Sequence, residues 1–556
     1  MKRTGFIWMG LIALMVVFGL RGVAPVQADN IIEVTTTSDV LNENDGQCSL
    51  REAVRRANSN SIGLVGECSA GSANDVDVIQ LQGGETYNLT IAGAGEDDAF
   101  TGDLDILDNA TPDVDIRVEA VGDNPAIVQI NGSDRVWHVH EAGFEMVNVT
   151  TRGGDVDMGG GLYNEDGQVT IANGSFNLNN AQTGAAINST GTNAQLNLTN
   201  VEVSRNEASA GAGGIANLGG IMILIDSTIT GNTSFGTGGG LSNNNASATL
   251  TRTTVSSNVA GGCGGGIRNT GTGVMTLIDS RVINTNTTDG PGGGICNQAT
   301  LSVTQGSVIS GNEANTGGGG IYSTGTLNVF NSTVQDNTAL DNDADNDGLG
   351  GGIYTGTGST TTVRQSAIVG NSAATAGGGM AVGGQMQVFN STISDNFGIT
   401  VGGVFVMSNG DLGLYNATVA DNGVFLGTFG IELHVLNGEA TLGNSIVANK
   451  TQSFDACTNA SGTVASIGYN LSDDDTCFNE MTDLVNVDPL LAPLADGART
   501  PQVGSPAVDA AEPTICTETA VGSIDQLGTP RPVFNGCDIG AVEWQGLSVY
   551  LPVIIR

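Results

Sequence analysis

Lysine is almost missing from this chain: in 556 residues only Lys2 and Lys450 occur. Histidine is limited to His138, His140 and His434, and aromatic residues make up 4% of the total. Basic residues number 18 against 57 acidic ones. A surface of that balance repels nucleic acid and anionic membrane, and it repels acidic polysaccharides unless metal ions intervene. So few aromatic residues, set beside 84 glycines, suit a thin solenoid core of Ile, Val, Leu and Ala better than a globular one. No nucleophile elbow, zinc-ligand spacing or nucleotide loop is present. The glycine-rich runs do not bind phosphate, because no helix follows them to supply an N-terminus.

What is there is one phrase repeated from about Gly159 to Asn449. Its clearest copy runs from Gly318-Gly319-Gly320-Ile321-Tyr322 through Leu327-Asn328-Val329 to Asn331-Ser332-Thr333-Val334-Gln335-Asp336-Asn337. The closing asparagine recurs at Asn180, Asn206, Asn232, Asn258, Asn286, Asn312, Asn337, Asn371, Asn396, Asn422 and Asn449, with one long interval between Asn337 and Asn371. A fixed period of this size marks a solenoid. Short apolar–polar alternations without helical periodicity predict three strands per period, hence a parallel β-helix. Eleven or so coils, each advancing about 4.8 Å, would give a rod roughly 50 Å long.

Columns of like residues support stacking. Asn217, Asn243, Asn269 and Asn297 occupy one position in successive periods and are expected to bond coil to coil. The closing asparagines read as a turn ladder, since Asn tolerates left-handed backbone. Arg252 falls between Asp226 and Asp279 in a third column, an ion-pair stack of small value. Arg268 and Arg281 are isolated bases with ready structural partners.

Residues 1–28 have the form of a secretory signal: Lys2 and Arg3, an apolar stretch from Phe6 to Leu20, then Val26-Gln27-Ala28 as a small-residue cleavage site. Its apolar stretch is too short to span a bilayer, so no transmembrane helix is expected in the mature chain. Removing the signal takes three basic residues and no acidic ones, leaving 57 acids against 15 bases. Eight cysteines in an exported chain favour disulfides. Sequence-local pairs are Cys48 with Cys68, Cys457 with Cys477, and Cys516 with Cys537. Cys263 and Cys296 fall five positions out of register on neighbouring coils and are expected to be free, buried small residues. The chain divides into the signal, an N-terminal cap with first coils (29–150), the repetitive helix (151–450), a C-terminal segment (451–545) and an apolar tail (546–556).

After Cys48, Ser49 and Glu52 form a capping box that opens a helix ending at Asn58, the one convincing helix. Such a helix before a solenoid reads as the lid over its open first edge. Cys48-Ser49-Leu50-Arg51-Glu52-Ala53 resembles the motif that names the CSLREA domain of secreted bacterial β-helix proteins. Gly102 to Ile106 and Asp134 to Val139 resemble the first coils of that family. The repeats, best seen from Ile309 to Tyr322, are loosely similar to those of polymorphic outer membrane proteins, with Gly for Ala and Ile or Val for Phe. Val487 to Leu491, Gly504 to Asp509, Pro530-Arg531-Pro532 and Cys537 to Glu543 resemble the C-terminal segment called choice-of-anchor Q. Together these resemblances imply a secreted or cell-surface right-handed parallel β-helix of the pectin-lyase-like class with an N-terminal capping helix. They imply no reaction.

Three candidate features remain. Asp341, Asp343, Asp345 and Asp347, ahead of Gly348, resemble the first half of a calcium loop, so calcium is the one cofactor the sequence suggests; position twelve, Tyr354, lacks the bidentate glutamate. Tyr163, Tyr322, Tyr354 and Phe405 follow the glycine-flanked apolar position and should point outward; Tyr322, Tyr354 and Phe405 are glycan-binding candidates, set against a mere aromatic ladder. The three histidines belong to no recognisable aspartate–histidine constellation. The reading is therefore a secreted, non-enzymatic rod with an adhesive or structural role. The alternatives are a polysaccharide lyase or glycoside hydrolase, marked by a groove with converging carboxylates, and a glycan-binding module, marked by a flat aromatic strip.

Overall fold

The computed structural model describes residues 30–546, apart from 43, 60–66, 72–75, 94, 108–115, 343–346, 425–430, 450–454, 479 and 518–521. The signal segment 1–28 and the tail 547–556 lie outside the described residues. The repeats build four parallel ladders, each strand pairing with its counterparts one coil before and one coil after. Sheet A has 16 strands, from Asn30–Glu33 to Thr463–Ser466; sheet B has 15, from Thr86–Leu89 to Leu471–Ser472. Sheet C has 14, from Leu104–Leu107 to Cys457–Ala460, and sheet D has 11, from Asp155–Met158 to Gly423–Val424. The chain is an all-β parallel β-helix, and sheet C alone rises roughly 60 Å at about 4.8 Å per strand.

Sheet D is the departure from three strands per coil. Most of its strands have two residues, as at Glu207–Ala208, too few to show an alternating pattern in sequence. Elsewhere the alternation is plain: along Gln195–Thr199, Leu196 and Leu198 point inward and their neighbours outward. The inward side chains form one continuous apolar core from Ile32 to Phe478. No helix among the described residues is long and apolar enough to cross a membrane.

Two polar spines run inside this core. In one, Asn217 donates to Asn243, Asn243 to Asn269, Asn269 to Asn297 and Asn297 to Ser323, at 2.9–3.0 Å. The other is the closing-asparagine column, and it is not a turn. The left-handed residue is the one before it, as at Arg205, Ser257 and Asp336, while the asparagine itself is buried. Each Nδ2 donates to the Oδ1 one coil on, from Asn206 through Asn396 to Asn422, at 2.8–3.0 Å. The column begins at Asn179 rather than at the exposed Asn180. This spine explains a glycine column: a Cβ at Gly352, Gly379 or Gly403 would lie 2.9–3.1 Å from the Nδ2 of Asn371, Asn396 or Asn422.

The spine ends at Glu432, not at Asn449, whose backbone N–H instead bonds the Asp473 carboxylate. Glu432 follows Gly403 in that glycine column, and its fully buried carboxyl takes the place of the next asparagine. It accepts from both the backbone N–H and the Nδ2 of Asn422. Burial pushes its pKa well above the ordinary value, outweighing those hydrogen bonds, and the nearby Asp421 and Asp473 charges push the same way. The folded state therefore binds this proton more tightly than the unfolded chain. The group's stabilising contribution is complete below about pH 4.5 and declines as pH rises towards the folded pKa. Glu432→Gln, whose carbonyl can accept both Asn422 bonds as the ladder asparagines do, should stabilise the protein by about 1–3 kcal/mol at pH 8 and little at pH 4. Thermal melts of both proteins across that range check it; a gap that does not grow with pH would contradict it.

At the N-terminal end the helix Leu50–Ser59 buries Leu50, Ala53, Val54 and Ala57 against the first coils. Its capping box is complete: Glu52 N–H donates to Ser49 Oγ at 3.2 Å and Ser49 N–H to Glu52 Oε2 at 2.9 Å. Disulfides join Cys48–Cys68, Cys457–Cys477 and Cys516–Cys537. Cys263 and Cys296, expected to be free, are also bonded, with Cα atoms 5.7 Å apart. Gly264, at φ +82°, explains this: its turn brings the chain back over Ile267 and Arg268, and Arg268 pairs in register with Cys296.

The C-terminal segment adds a last coil through Cys457–Ala460, Thr463–Ser466 and Leu471–Ser472, and its remainder does not extend the rod. It folds back along the outer side of sheet B, with Gln365 donating to Asp525 O, Thr392 to Gln526 Oε1, and Ala541 N–H to Thr418 Oγ1. Arg499 reaches Ser394, Asp395 and Asp421, while Asn444 bonds Glu512 and Gly540. Ala507, Ala511, Cys516, Cys537 and Ile539 pack there on Ile446, Ala448 and Leu471.

Candidate functional site

The strands Leu104–Leu107, Trp137–His140 and Leu162–Glu165 open sheet C, and their apolar residues set the register. Leu104, Trp137 and Leu162 turn inward together, so Asp105, His138 and Tyr163 stack on the outer side, as do Leu107, His140 and Glu165 two residues on. Residues 95–103 fold over this corner. Arg51 from the helix holds the carbonyls of Ala99, Gly102 and Asp103, and Ala99 N–H in turn donates to Asp105 Oδ2 at 2.8 Å.

The result is the aspartate–histidine constellation that the sequence did not reveal. Asp105 Oδ1 lies 3.3 Å from His140 Nε2 and 3.5 Å from His138 Nδ1, and Asp97 Oδ1 lies 3.7 Å from His140 Nε2. Ligand atoms of these four residues all lie within 4.8 Å of one another. Opposite them, Glu165 Oε2 is 3.6 Å from His140 Nδ1 and 3.7 Å from His138 Nε2. Tyr163, expected to point outward, is covered by the His138 ring at 4.9 Å and the Arg135 guanidinium at 5.1 Å.

Burial alone would push the Asp105 carboxyl up, but hydrogen bonds from His138, His140 and Ala99 outweigh it and hold it at about 2. Beside it, burial and then the charges of Asp105 and Asp134 lift Asp103 to about 8. Burial pushes the His138 pKa down. Burial acts on His140 in the same direction, yet the Asp105, Asp97 and Glu165 carboxylates overcome it and raise His140.

Further along the same outer face, Tyr322 and Tyr354 stand in register on consecutive coils. Both are half-buried, and their rings lie parallel, 5.1 Å apart at 11°. Phe405 lies on the second coil after Tyr354 and stacks on His434 at 5.7 Å and 21°. Of the calcium-loop residues, Asp343 and Asp345 lie outside the described residues, while Asp341 and Asp347 stand half-buried at either end. That loop adjoins the aromatic pair: burial first, then Tyr322 and the Asp347 charge, push the Tyr354 phenol up. A separate cleft of about 200 Å³ between sheet B and the C-terminal segment is lined by Asp421, Asp473 and Asp488. Burial pushes Asp473 up to about 6 there.

No protein-family model and no curated protein matches the chain. Among solved structures, the crystal structure of pectate lyase Pel9A is similar, the match covering 93% of this chain and 97% of that one at 14% identity, with a TM-score of 0.24. The parallel ladders, not this likeness, carry the fold assignment.

One signal for the histidine site was in the sequence. His138 and His140 are two apart on an alternating strand, which places both on one side. Their partners were hidden because the early coils are irregular: Leu104, Trp137 and Leu162 are paired neighbours at unequal spacings, so no period aligns Asp105 with His138.

Proposed function

We propose that the chain is a secreted or cell-surface rod without catalytic activity, which adheres to glycans through the outer face of sheet C. The observation that carries this reading is the in-register, near-parallel pair Tyr322 and Tyr354 with Phe405 beyond it. Flat, half-exposed rings repeated along a rigid ladder suit an extended sugar chain, whose rings stack on them while the phenol tips stay wet. The acidic surface selects against polyanions, and calcium held at Asp341, Asp343, Asp345 and Asp347 would offset that locally for acidic sugars. Four disulfides suit an oxidising compartment, as does the signal-like N-terminus. The resemblances to CSLREA and choice-of-anchor Q segments point to the same setting.

A second reading, a polysaccharide lyase or glycoside hydrolase, is favoured by one feature: the cleft lined by Asp421, Asp473 and Asp488. There a carboxyl held near 6 stands beside other acids, as acid–base chemistry requires. One assay separates the two. The protein is incubated with soluble and insoluble polysaccharides, with calcium or with chelator, and bound protein and released products are both recorded. Retention lost in Tyr322→Ala/Tyr354→Ala, without products, is the expected result. Product release abolished by Asp473→Asn would replace the rod with an enzyme.

A further inference from the structure

We infer that Asp97, Asp105, His138 and His140 form a binding site for a divalent transition-metal ion of the zinc type. The ligand chemistry comes first. Two imidazoles and two carboxylates suit borderline divalent metals, whereas calcium prefers six to eight oxygens. Two carboxylates also balance the charge of a dication, which matters at a corner where Asp105 is fully buried.

Geometry is the second argument. In a tetrahedral site with bonds of about 2.0–2.1 Å, neighbouring ligand atoms lie about 3.3 Å apart. Three of the six donor separations are 3.3, 3.5 and 3.7 Å, and all six lie within 4.8 Å. They span two strands and the 95–103 loop, so the site is held by the fold rather than by a local turn. Asp97 is the exposed member, its side chain 71% accessible, and offers the route by which the ion enters.

The third argument is independent of the other two. His138 is 6% exposed, and its Nε2 is buried with no hydrogen-bond partner. Buried ring nitrogens are ordinarily paired, and an orphan needs an explanation. With a metal on Nδ1, the imidazole proton is fixed on Nε2, facing Glu165 Oε2 at 3.7 Å; a small movement closes that hydrogen bond. Glu165 faces the outer nitrogen of His140 in the same way, at 3.6 Å. A carboxylate behind both ligating histidines is the usual arrangement for orienting them.

The site is tested with the full chain, purified without a histidine tag, stripped with chelator and titrated with ZnCl2 by calorimetry. One ion per chain and a higher melting midpoint are expected; CaCl2 should not compete. Because the chain has three histidines, ring signals in NMR report each one: His138 and His140 should shift while His434 stays. His140→Ala should abolish binding, and Glu165→Gln should weaken it about 10–100-fold. Asp97→Asn, on an exposed side chain, keeps the test decisive if His140→Ala fails to fold. No binding by the natural chain, binding unchanged in Asp97→Asn and Glu165→Gln, or a shift of His434 alone would each overturn the site. Tyr322→Ala/Tyr354→Ala should bind zinc normally, so failure of the glycan reading and failure of the metal site are distinguishable.

Discussion

Arg51→Ala is expected to destabilise the N-terminal end by about 3–5 kcal/mol, the range for removing one partner of a buried ion pair. Arg51 is fully buried in the first turn of the capping helix, and every N–H of its guanidinium is used. Nε donates to Asp39 Oδ1 at 2.7 Å and Nη2 to Asp39 Oδ2 and Gly102 O at 3.2 and 2.7 Å. Nη1 donates to Ala99 O and Asp103 O at 3.3 and 3.0 Å. Lysine has three donors and no planar fork, so Arg51→Lys should recover only a fraction. Deleting the guanidinium leaves the Asp39 carboxylate only the Thr90 and Ile91 N–H donors, with no counter-charge, and frees the 95–103 loop, and with it the Ala99 bond that holds Asp105. Hydrogen exchange should rise across residues 50–105 while the central coils stay protected. Unchanged exchange there would show that the helix is held by its apolar face alone.

Arg531→Met should have a comparable effect at the other end, again about 3–5 kcal/mol. Arg531 and Glu543 are both buried and meet at 2.6 Å; the guanidinium also donates to the carbonyls of Asp538 and Gly540. Burial already lifts Glu543 to about 7 against the pull of Arg531, so removing Arg531 leaves a carboxyl with little reason to ionise. The C-terminal segment should come away from sheet B and become open to protease, with the β-sheet circular dichroism of the rod retained. Arg531→Met/Glu543→Leu should recover much of the loss, because a well-packed apolar pair can replace a buried ion pair. A double variant as labile as the single one would place the fault in packing, not charge.

The rod was legible because its information is periodic. Asn217, Asn243, Asn269 and Asn297 could be aligned by counting, and the ladder they form is the one counting suggested. Counting failed where the chain leaves its period or turns back on itself. Asn180 and Asn179 differ by one residue, yet one is exposed and the other starts a buried spine, and neither composition nor spacing separates adjacent asparagines. Cys263 looked out of register with Cys296 because a left-handed Gly264 folds it over the strand that follows. Asp97, Asp105, His138 and His140 come together through unequal early coils and a loop that Arg51 holds, a long-range arrangement no local pattern encodes. Arg531 and Glu543 were visible as motif residues, but their pairing needed the fold.

The folding-back of the C-terminal segment sets how the rod would carry a load applied at that end. Its contacts at Gln365, Thr392, Thr418 and Asn444 touch four consecutive coils. A solenoid pulled from its last coil would otherwise unzip rung by rung, each rung bearing the whole load in turn. Here a pull on the segment is spread across four rungs at once and must shear the strap along the rod before any coil can peel.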